Sequence, residues 1–294
     1  MNKEGIIFLG SGEEILLALQ KMNNLGLAKG FGAHESNKSS ARESIDFCKR
    51  NSIPVINSLE SAIALNPRFV FMLSYPLLIK KEHLDQCLFV NMHGALVPRY
   101  RGIHGGTWAM VNGESQQGYT IHKVDEGIDS GPIFFQGKVT VGVSENINQV
   151  RQKIRNHFNC NIERVLREVY DGIAKATEQK EEQAIYVCRR TKKDGLIDWF
   201  KTSWEIHNLI RALTPPYTQG AYSHYKDKEL VLTKSVYKKL PEYIGVPGQV
   251  VANFKEQGVL IKTGDSALLV TEVCLEGKVV HPSTLFNTVG YRLG

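Results

Sequence analysis

The feature that most constrains the fold is an alternation of short apolar runs with helix-like stretches over the first hundred residues. Apolar runs begin near residues 6, 28, 53, 68 and 88, and patterns typical of helices separate several of them, as at 39–50. Strands that alternate with helices predict a mostly parallel sheet with helices on both faces. Sites in such sheets form beyond the carboxyl ends of the strands. We therefore expect an α/β fold whose chemistry lies where these runs end.

The first junction between strand and helix gives two further expectations. Gly10-Ser11-Gly12 follows the first run, but the third glycine of the dinucleotide-binding pattern GxGxxG is replaced by Ile15. We therefore do not expect a nucleotide cofactor at this turn. Ser11, with Glu14 three residues later, has the spacing of a capping box, so Ser11 is expected to cap the first helix.

After about residue 189 the pattern changes to short β-like runs separated by turn residues. Such runs occur at 229–232, 248–251, 258–261 and 267–270, after a helical stretch at 204–213. They predict a small antiparallel β domain, of the kind that closes into a barrel. We predict a catalytic domain at 1–188, a linker at 189–204 and a C-terminal β domain at 205–294.

Composition excludes several classes of protein. The chain has 294 residues, of which 42% are hydrophobic and 22% charged, as in ordinary globular proteins of one or two domains. The start lacks the pattern of a signal peptide, and no run reaches the roughly 20 apolar residues of a membrane span. Five scattered cysteines form no CxxC pair, so we expect neither a disulfide framework nor a metal site. We predict a cytoplasmic protein.

Three polar residues with complementary chemistry stand out, namely Asn91, His93 and Asp129. An amide can donate to an oxyanion, an imidazole can relay a proton, and a carboxylate can orient the imidazole. Asn91 and His93 end a predicted strand, and Asp129 lies in a loop that contains Gly127 and Gly131. An isolated Asn-x-His is more often a turn than a catalytic pair. The set of three, however, predicts an acyl-transfer site.

Residues 91–131 resemble the signature of the formyltransferases that use 10-formyltetrahydrofolate. Asn-x-His is followed by Leu96-x-Pro98-x-x-Arg101-Gly102, and Asp129 lies 38 residues after Asn91, the spacing the family shows. The second half is similar, more loosely, to the second domain of the methionyl-tRNA and aminosugar members of the family. The resemblance implies a Rossmann-like catalytic domain followed by a smaller OB-like β-barrel.

The resemblance also implies a mechanism and a folate site. A primary amine would attack the formyl group of 10-formyltetrahydrofolate, while Asn91 and protonated His93 donate to the formyl oxygen. Asp129 would orient the imidazolium, raise the pKa of His93, and accept the proton that the amine loses. Folate is expected against two loops, formed by Tyr75, Pro76, Leu77 and Leu78 and by Val124, Asp125, Gly127 and Ile128. Core packing is the alternative for Leu77 and Leu78.

Segments outside the three polar residues indicate which acceptor receives the formyl group. The loop after the catalytic strand supplies the expected substrate contacts, namely Tyr100, Arg101, Gly102 and His104. Residues 31–40 contain one lysine where the tRNA enzyme carries a basic insertion, and RNA binding depends on phosphate neutralisation. The segment 188–199 is similar to the aminosugar formyltransferase of lipid A modification. We therefore expect a nucleotide-linked aminosugar as acceptor, with methionyl-tRNA as the alternative.

Several points stay open at the level of sequence. His122 either supports the active-site loop or is a structural histidine, and His104 is a weaker candidate for acceptor binding. The purine-pathway enzyme and the hydrolase of the family fit a two-domain plan less well. A folate- or nucleic-acid-binding protein without activity is a further alternative, which the intact set of three residues disfavours. The sequence is compatible with a homodimer.

Overall fold

The computed structural model describes residues 4–294, and the chain forms two compact units. The first unit contains the chain up to Gly102 together with Gly118–Val139 and Lys153–Val187. The second contains Ile103–Gln117, Thr140–Gln152 and Cys188–Gly294. The last segment of the second unit begins at Cys188, and two earlier segments also belong to that unit. One reason is that the helix Gly105–Val111 packs against the helix Ser203–Ala212.

The elements follow one another as strands β1 to β15 and helices α1 to α8. Up to residue 187 they are β1 Ile6–Gly10, α1 Glu13–Asn24, β2 Ala28–Gly32, α2 Arg42–Arg50, β3 Val55–Ile56, α3 Leu59–Ala64, β4 Phe69–Leu73, α4 Lys81–Leu84, β5 Phe89–His93, β6 Arg101–Gly102, α5 Gly105–Val111, β7 Gln116–Lys123, β8 Ile133–Thr140, α6 Ile147–Tyr170 and β9 Tyr186–Val187. After it come α7 Ser203–Ala212, β10 Ala221–Tyr225, β11 Lys228–Val236, β12 Val250–Phe254, β13 Gly258–Lys262, β14 Ala267–Leu275, β15 Lys278–Val280 and α8 Pro282–Leu285. Within residues 4–294, no helix combines the length and the apolar character needed to cross a membrane.

The first unit is built on a seven-stranded sheet in the order β3-β2-β1-β4-β5-β7-β8. Strands β1 to β5 pair in parallel, and β7 joins β5 in the antiparallel direction. Alternate residues of β1 enter different apolar clusters, Ile6 and Phe8 one of them and Ile7 and Leu9 another. A strand buried on both faces is apolar throughout, which explains the continuous runs in the sequence. The predicted α/β fold with a mostly parallel sheet is confirmed.

The second unit contains a six-stranded sheet in the order β10-β11-β14-β13-β12, with β15 paired to β14. The strand pairings found in residues 4–294 leave β10 and β12 at the ends of this order, so they do not close the predicted barrel. The predicted linker 189–204 is also part of this unit. Ile197 and Trp199 are buried in its apolar core, and the Trp199 indole donates to Ser223 Oγ at 3.0 Å.

Helix starts differ in how their free amides are satisfied. Helix α1 begins after Gly12, and no side chain of the described chain caps it, so the capping role expected for Ser11 is wrong. The backbone amides of Ser11 and Gly12 instead donate to carbonyls of Leu73 and Ser40. Helix α7 does carry a capping box, formed by Thr202 and Glu205. The tertiary neighbours of a turn therefore decide whether a capping sequence is used.

Candidate active site

Sheet register brings the side chains of Asn91, His93 and His122 to one face. Residues two apart on a strand point to the same side, so Asn91 and His93 on β5 share a face. Asn91 is paired in register with His122 on β7, which places that imidazole on the same face. Asp129 lies in the loop between β7 and β8, and this loop folds back onto the pair.

The carboxylate of Asp129 gathers the predicted catalytic residues. Its Oδ1 accepts from Asn91 Nδ2 at 3.3 Å, and its Oδ2 lies 3.1 Å from His93 Nδ1. The backbone amide of Gly102 donates to the same Oδ2 at 2.9 Å. The structure thus places Asn91 and His93 each within hydrogen-bond distance of the Asp129 carboxylate.

The charge of Asp129 is strongly stabilised. Burial by itself would raise the pKa of Asp129, but the hydrogen bond with His122, the proximity of His93 and the Gly102 amide together lower it to about 2. A carboxylate with such a low pKa is a weak base. Asp129 is therefore better suited to orienting and stabilising a cation than to accepting the proton of an attacking amine.

The His93 ring lies between two acceptors. Its Nδ1 faces Asp129, and its Nε2 lies 2.7 Å from the carbonyl oxygen of Tyr100. Burial lowers the pKa of His93, although Asp129 and the Tyr100 carbonyl oppose the shift. The rise in pKa expected from Asp129 is therefore outweighed by desolvation. Only the protonated ring can donate to both acceptors, so proton uptake by His93 is coupled to these two contacts.

His122 orients the Asn91 amide, a role that the sequence left open. Its Nδ1 lies 2.8 Å from the Lys123 carbonyl, which only accepts, so Nδ1 carries a hydrogen. In the neutral ring Nε2 accepts from Asn91 Nδ2, at 3.2 Å, whereas in the protonated ring it donates to Asp129 Oδ1, at 3.4 Å. With the neutral ring, both amide hydrogens of Asn91 are directed at Asp129 and His122. The reverse orientation of this amide would place its oxygen against the Asp129 carboxylate, which is unfavourable.

The loop after β5 is partly buried, which changes the roles expected for Tyr100 and Arg101. The Arg101 side chain is fully buried and donates to Glu181, Tyr186 and Gln179, at 3.0, 2.7 and 2.9 Å. Tyr100 is 4% exposed. The substrate contacts predicted for these two side chains are not accessible in this arrangement. Their burial fixes the loop instead.

Gly102 is required by the backbone at this loop. Its φ is +98°, and a Cβ built there would lie 2.4 Å from the Val187 carbonyl oxygen. Only glycine fits such a position without strain. The same residue donates to Asp129, so its contribution to the site is a backbone hydrogen bond rather than a side chain.

His104 belongs to the second unit, where it lines a cavity of about 410 Å³. Its Nδ1 accepts from the Arg190 backbone amide at 3.1 Å. The cavity is lined by two cationic side chains, Arg190 and Lys192, and by three threonines. The other residues that line it include Gly195, Leu213, Tyr217, Gln219 and Gly220. Arg190 Nε is buried and has no hydrogen-bond partner among residues 4–294. The lining suits an anionic ligand.

The two loops predicted to hold folate present apolar side chains to solvent. Leu77, Leu78 and Ile128 are 47%, 73% and 48% exposed, so the core-packing alternative for Leu77 and Leu78 is wrong. Tyr75 is half-buried and Pro76 is exposed. These positions offer free apolar surface of the kind that a flat heterocycle covers.

The second of these loops is held by its own side chains. Asp125 accepts from the Gly127 amide at 3.1 Å and from Ser130 Oγ at 2.8 Å, and the Val124 amide donates to the Phe89 carbonyl at 2.9 Å. Val124 and Asp125 also line a cavity of about 410 Å³ next to residues 84–89, and its lining does not include Asn91, His93 or Asp129. Asp125 therefore shapes the loop through contacts within it.

Comparison with known proteins identifies the family. The profile described as formyl transferase matches residues 36–166, and the profile described as formyl transferase, C-terminal domain, matches residues 189–290. A methionyl-tRNA formyltransferase of Citrifermentans bemidjiense is 29% identical over 259 residues, which are 83% of this chain and 78% of that protein. Another, from Clostridium acetobutylicum, is 30% identical over 232 residues, 78% and 72% of the two chains.

A solved structure shows the same fold. The N-formyltransferase from Helicobacter canadensis, in complex with folinic acid and dTDP-3-aminofucose, superposes with a TM-score of 0.73 at 20% identity, covering 91% of this chain and 98% of that chain. The family expected from residues 91–131 is confirmed. The chain belongs to the formyl transferase family and is an enzyme that transfers formyl groups.

Proposed function

We propose that the protein transfers the formyl group of 10-formyltetrahydrofolate to the primary amine of a nucleotide-linked aminosugar. We assign catalysis to Asn91, His93 and Asp129. The observation that carries this assignment is that the Asn91 amide and the His93 imidazole, at the end of β5, both contact the Asp129 carboxylate.

The chemistry follows from what each group can do. When the amine attacks the formyl carbon, negative charge develops on the formyl oxygen, and an N–H of Asn91 stabilises it. Because both Asn91 hydrogens are engaged in the free enzyme, the formyl oxygen replaces one of their acceptors. His93 takes the proton that the amine loses and delivers it to N10 as the C–N bond breaks. Asp129 stabilises the imidazolium in between.

Free apolar surface on the two folate loops supports the donor. Leu77, Leu78 and Ile128 are exposed, although side chains of this type are usually buried. A pterin ring would cover them, with its polar edges on backbone groups of the loops. The structural relative from Helicobacter canadensis was solved with folinic acid, a folate.

The cationic cavity of the second unit supports a phosphate-containing acceptor. Arg190, Lys192 and the threonine hydroxyls are the groups that bind phosphate oxygens. His104, which lines this cavity, lies two residues after Gly102 in the sequence. The backbone amide of Gly102 donates to Asp129. The same relative was solved with a dTDP-linked aminosugar. Methionyl-tRNA is the second candidate acceptor, because both sequence relatives are named as methionyl-tRNA formyltransferases.

The test is incubation with 10-formyltetrahydrofolate and a panel of amines. UDP- and dTDP-linked aminosugars run beside charged initiator tRNA, and mass spectrometry detects the mass gain of one formyl group. We expect formylation of an aminosugar by the wild type, and a loss of about 10²–10³-fold in kcat for Asn91→Ala. Efficient formylation of methionyl-tRNA with no sugar product would contradict the proposed acceptor.

A further inference from the structure

Gln179 joins the Asp129 loop to Arg101, although it lies 50 residues beyond Asp129 in the chain. Its Nε2 donates to the backbone carbonyls of Asp129 at 2.8 Å and Gly131 at 2.7 Å. Its Oε1 accepts from Arg101 Nε at 3.1 Å and Arg101 Nη2 at 2.9 Å. Carbonyls cannot donate and a guanidinium cannot accept, so only this orientation of the amide fits. All four hydrogen-bonding positions of the side chain are used.

These contacts close a ring of hydrogen bonds around Asp129. The Asp129 carboxylate accepts from the amide of Gly102, and Gly102 is bonded covalently to Arg101. The Arg101 side chain donates to Gln179, which in turn donates to the carbonyl of Asp129. The Asp129 carboxylate is thus held directly by Gly102, and the Asp129 backbone is held through Gln179 by Arg101, the neighbouring residue of the same short strand, β6.

Arg101 is a firm anchor for this ring. Its side chain is fully buried and forms an ion pair with Glu181 at 2.9 Å. Its Nη1 also donates to the Tyr186 hydroxyl at 2.7 Å. Asp129, in contrast, adopts a left-handed backbone conformation with φ of +51°. A non-glycine residue in that conformation is costly by on the order of 1 kcal/mol and persists only when its surroundings hold it.

We propose that Gln179 is a positioning residue for catalysis, which fixes Asp129 against His93 and Asn91 by tying its loop to Arg101. The proposal rests on the catalytic role proposed above for Asp129. Gln179 itself touches no reacting group. It acts because Asp129 must hold a defined place for its charge to act on His93, and a misplacement of about 1 Å can cost up to 10²-fold in rate.

Two variants of Gln179 remove either part or all of its hydrogen bonds. Gln179→Glu keeps an acceptor for Arg101 but loses both donors to the Asp129 and Gly131 carbonyls. Gln179→Met removes all four hydrogen bonds without adding charge. Glu182→Gln is the matched control, because it neutralises an exposed carboxylate three residues along the chain that is not part of this ring of hydrogen bonds. Thermal unfolding of all variants reports whether the fold survives.

The first readout is kinetic. With an acceptor identified by the amine panel, we expect Gln179→Glu and Gln179→Met to lower kcat by roughly 10- to 100-fold while KM for the folate donor changes little. Glu182→Gln should keep kcat within about twofold of the wild type, since substitutions of exposed side chains have small effects. Equal losses in Gln179→Met and Glu182→Gln would overturn the proposal.

The second readout needs no acceptor. Asp129 opposes the lowering of the His93 pKa, so an Asp129 that is no longer held should let the pKa of His93 fall further. NMR titration of labelled histidine rings should show this downward shift in Gln179→Met and not in Glu182→Gln. A folded Gln179→Met protein in which His93 titrates as in the wild type would overturn the proposal. If Asp129→Asn itself left the rate unchanged, the catalytic assignment would fail instead.

Discussion

At the scale of single residues, Asp129 shows how burial and hydrogen bonding compete. The carboxylate is 15% exposed, so it is poorly solvated, yet the hydrogen bond with His122, the proximity of His93 and the amide of Gly102 lower its pKa to about 2. The same burial acts on His93 in the opposite sense, because it disfavours the charged imidazolium and lowers the pKa. One environment thus keeps the carboxylate ionised and favours the neutral imidazole.

Asp129→Asn tests the carboxylate in two ways. We expect kcat to fall by 10²-fold or more, because the stabilisation of the His93 cation is lost. The folded-state pKa lies below the ordinary value of 3.8, so Asp129 stabilises the protein above about pH 4, and this contribution disappears as the pH falls towards 2. Its size is on the order of 2 kcal/mol. Denaturant unfolding of the variant should show a flatter acid limb than the wild type.

His122→Phe tests the orientation of Asn91. The variant removes the acceptor for one amide hydrogen, so Asn91 should lose its fixed direction and kcat should fall about tenfold, with little change in KM. His157→Phe is the matched control, since that ring contacts Tyr119 and Asn161 and no catalytic residue. Steady-state kinetics measure kcat and KM for the two variants. Equal effects on kcat would assign His122 a general structural role.

At the scale of elements, the register between β5 and β7 assembles the site. Asn91 stands opposite His122, and His93 stands opposite Thr120, whose hydroxyl donates to the Ala95 carbonyl at 2.7 Å. A shift of one residue would turn His122 to the other face of the sheet. The antiparallel addition of β7 to the parallel strands therefore brings His122 to the same face as Asn91 and His93.

Helix caps give a prediction at the same scale. Thr202→Ala should destabilise the protein by about 1 kcal/mol, because the Thr202 hydroxyl accepts from the Glu205 amide at the start of α7. Ser11→Ala should leave the start of α1 unaffected, because Ser11 does not cap that helix. Urea unfolding of the two variants measures the difference. A larger loss in Ser11→Ala than in Thr202→Ala would contradict the observed caps.

At the scale of the whole molecule, each unit contains a buried histidine whose neutral form is favoured. His93 lies in the first unit, and His207 lies in the second, where its ring nitrogens contact Ser235 Oγ at 2.8 Å and the Val143 carbonyl at 2.9 Å. Burial lowers the pKa of both histidines. The unfolded chain therefore binds more protons than the folded protein below the ordinary pKa of 6.5.

The stability of the protein should consequently fall as the pH drops below about 6.5, before the loss from Asp129 begins. His207→Gln should flatten this first decline, since glutamine does not titrate, although it is expected to be less stable at neutral pH. Chemical unfolding between pH 5 and 8 measures both effects. A stability that is independent of pH in this range would contradict neutral, buried histidines.

The cavity of the second unit gives a functional prediction. Arg190→Met should raise KM for a phosphate-containing acceptor by about tenfold or more, because a charged hydrogen bond is lost, while KM for the folate donor stays unchanged. Lys193→Met is the matched control, as it removes the same charge at an exposed position outside the cavity lining. Equal KM values in the two variants would place the acceptor elsewhere.

The sequence determines the parts of this protein that depend on local pattern. Apolar runs of β1, β4 and β5 predict a parallel sheet because strands buried on both faces must be apolar throughout. The chemistry of Asn91, His93 and Asp129 predicts an acyl-transfer site, and the resemblance of residues 91–131 to a family signature predicts formyl transfer. These features need only neighbours along the chain or a family signature.

Tertiary structure alone decides which partners meet across long separations. Gln179 reaches the Asp129 loop, Arg101 is buried rather than free to bind substrate, and His122 faces Asn91. Ser11 has the sequence of a cap, but the neighbouring carbonyls satisfy the turn instead. The physical reason is that burial and hydrogen-bond competition depend on all neighbours in space, and local sequence specifies only those nearby in the chain.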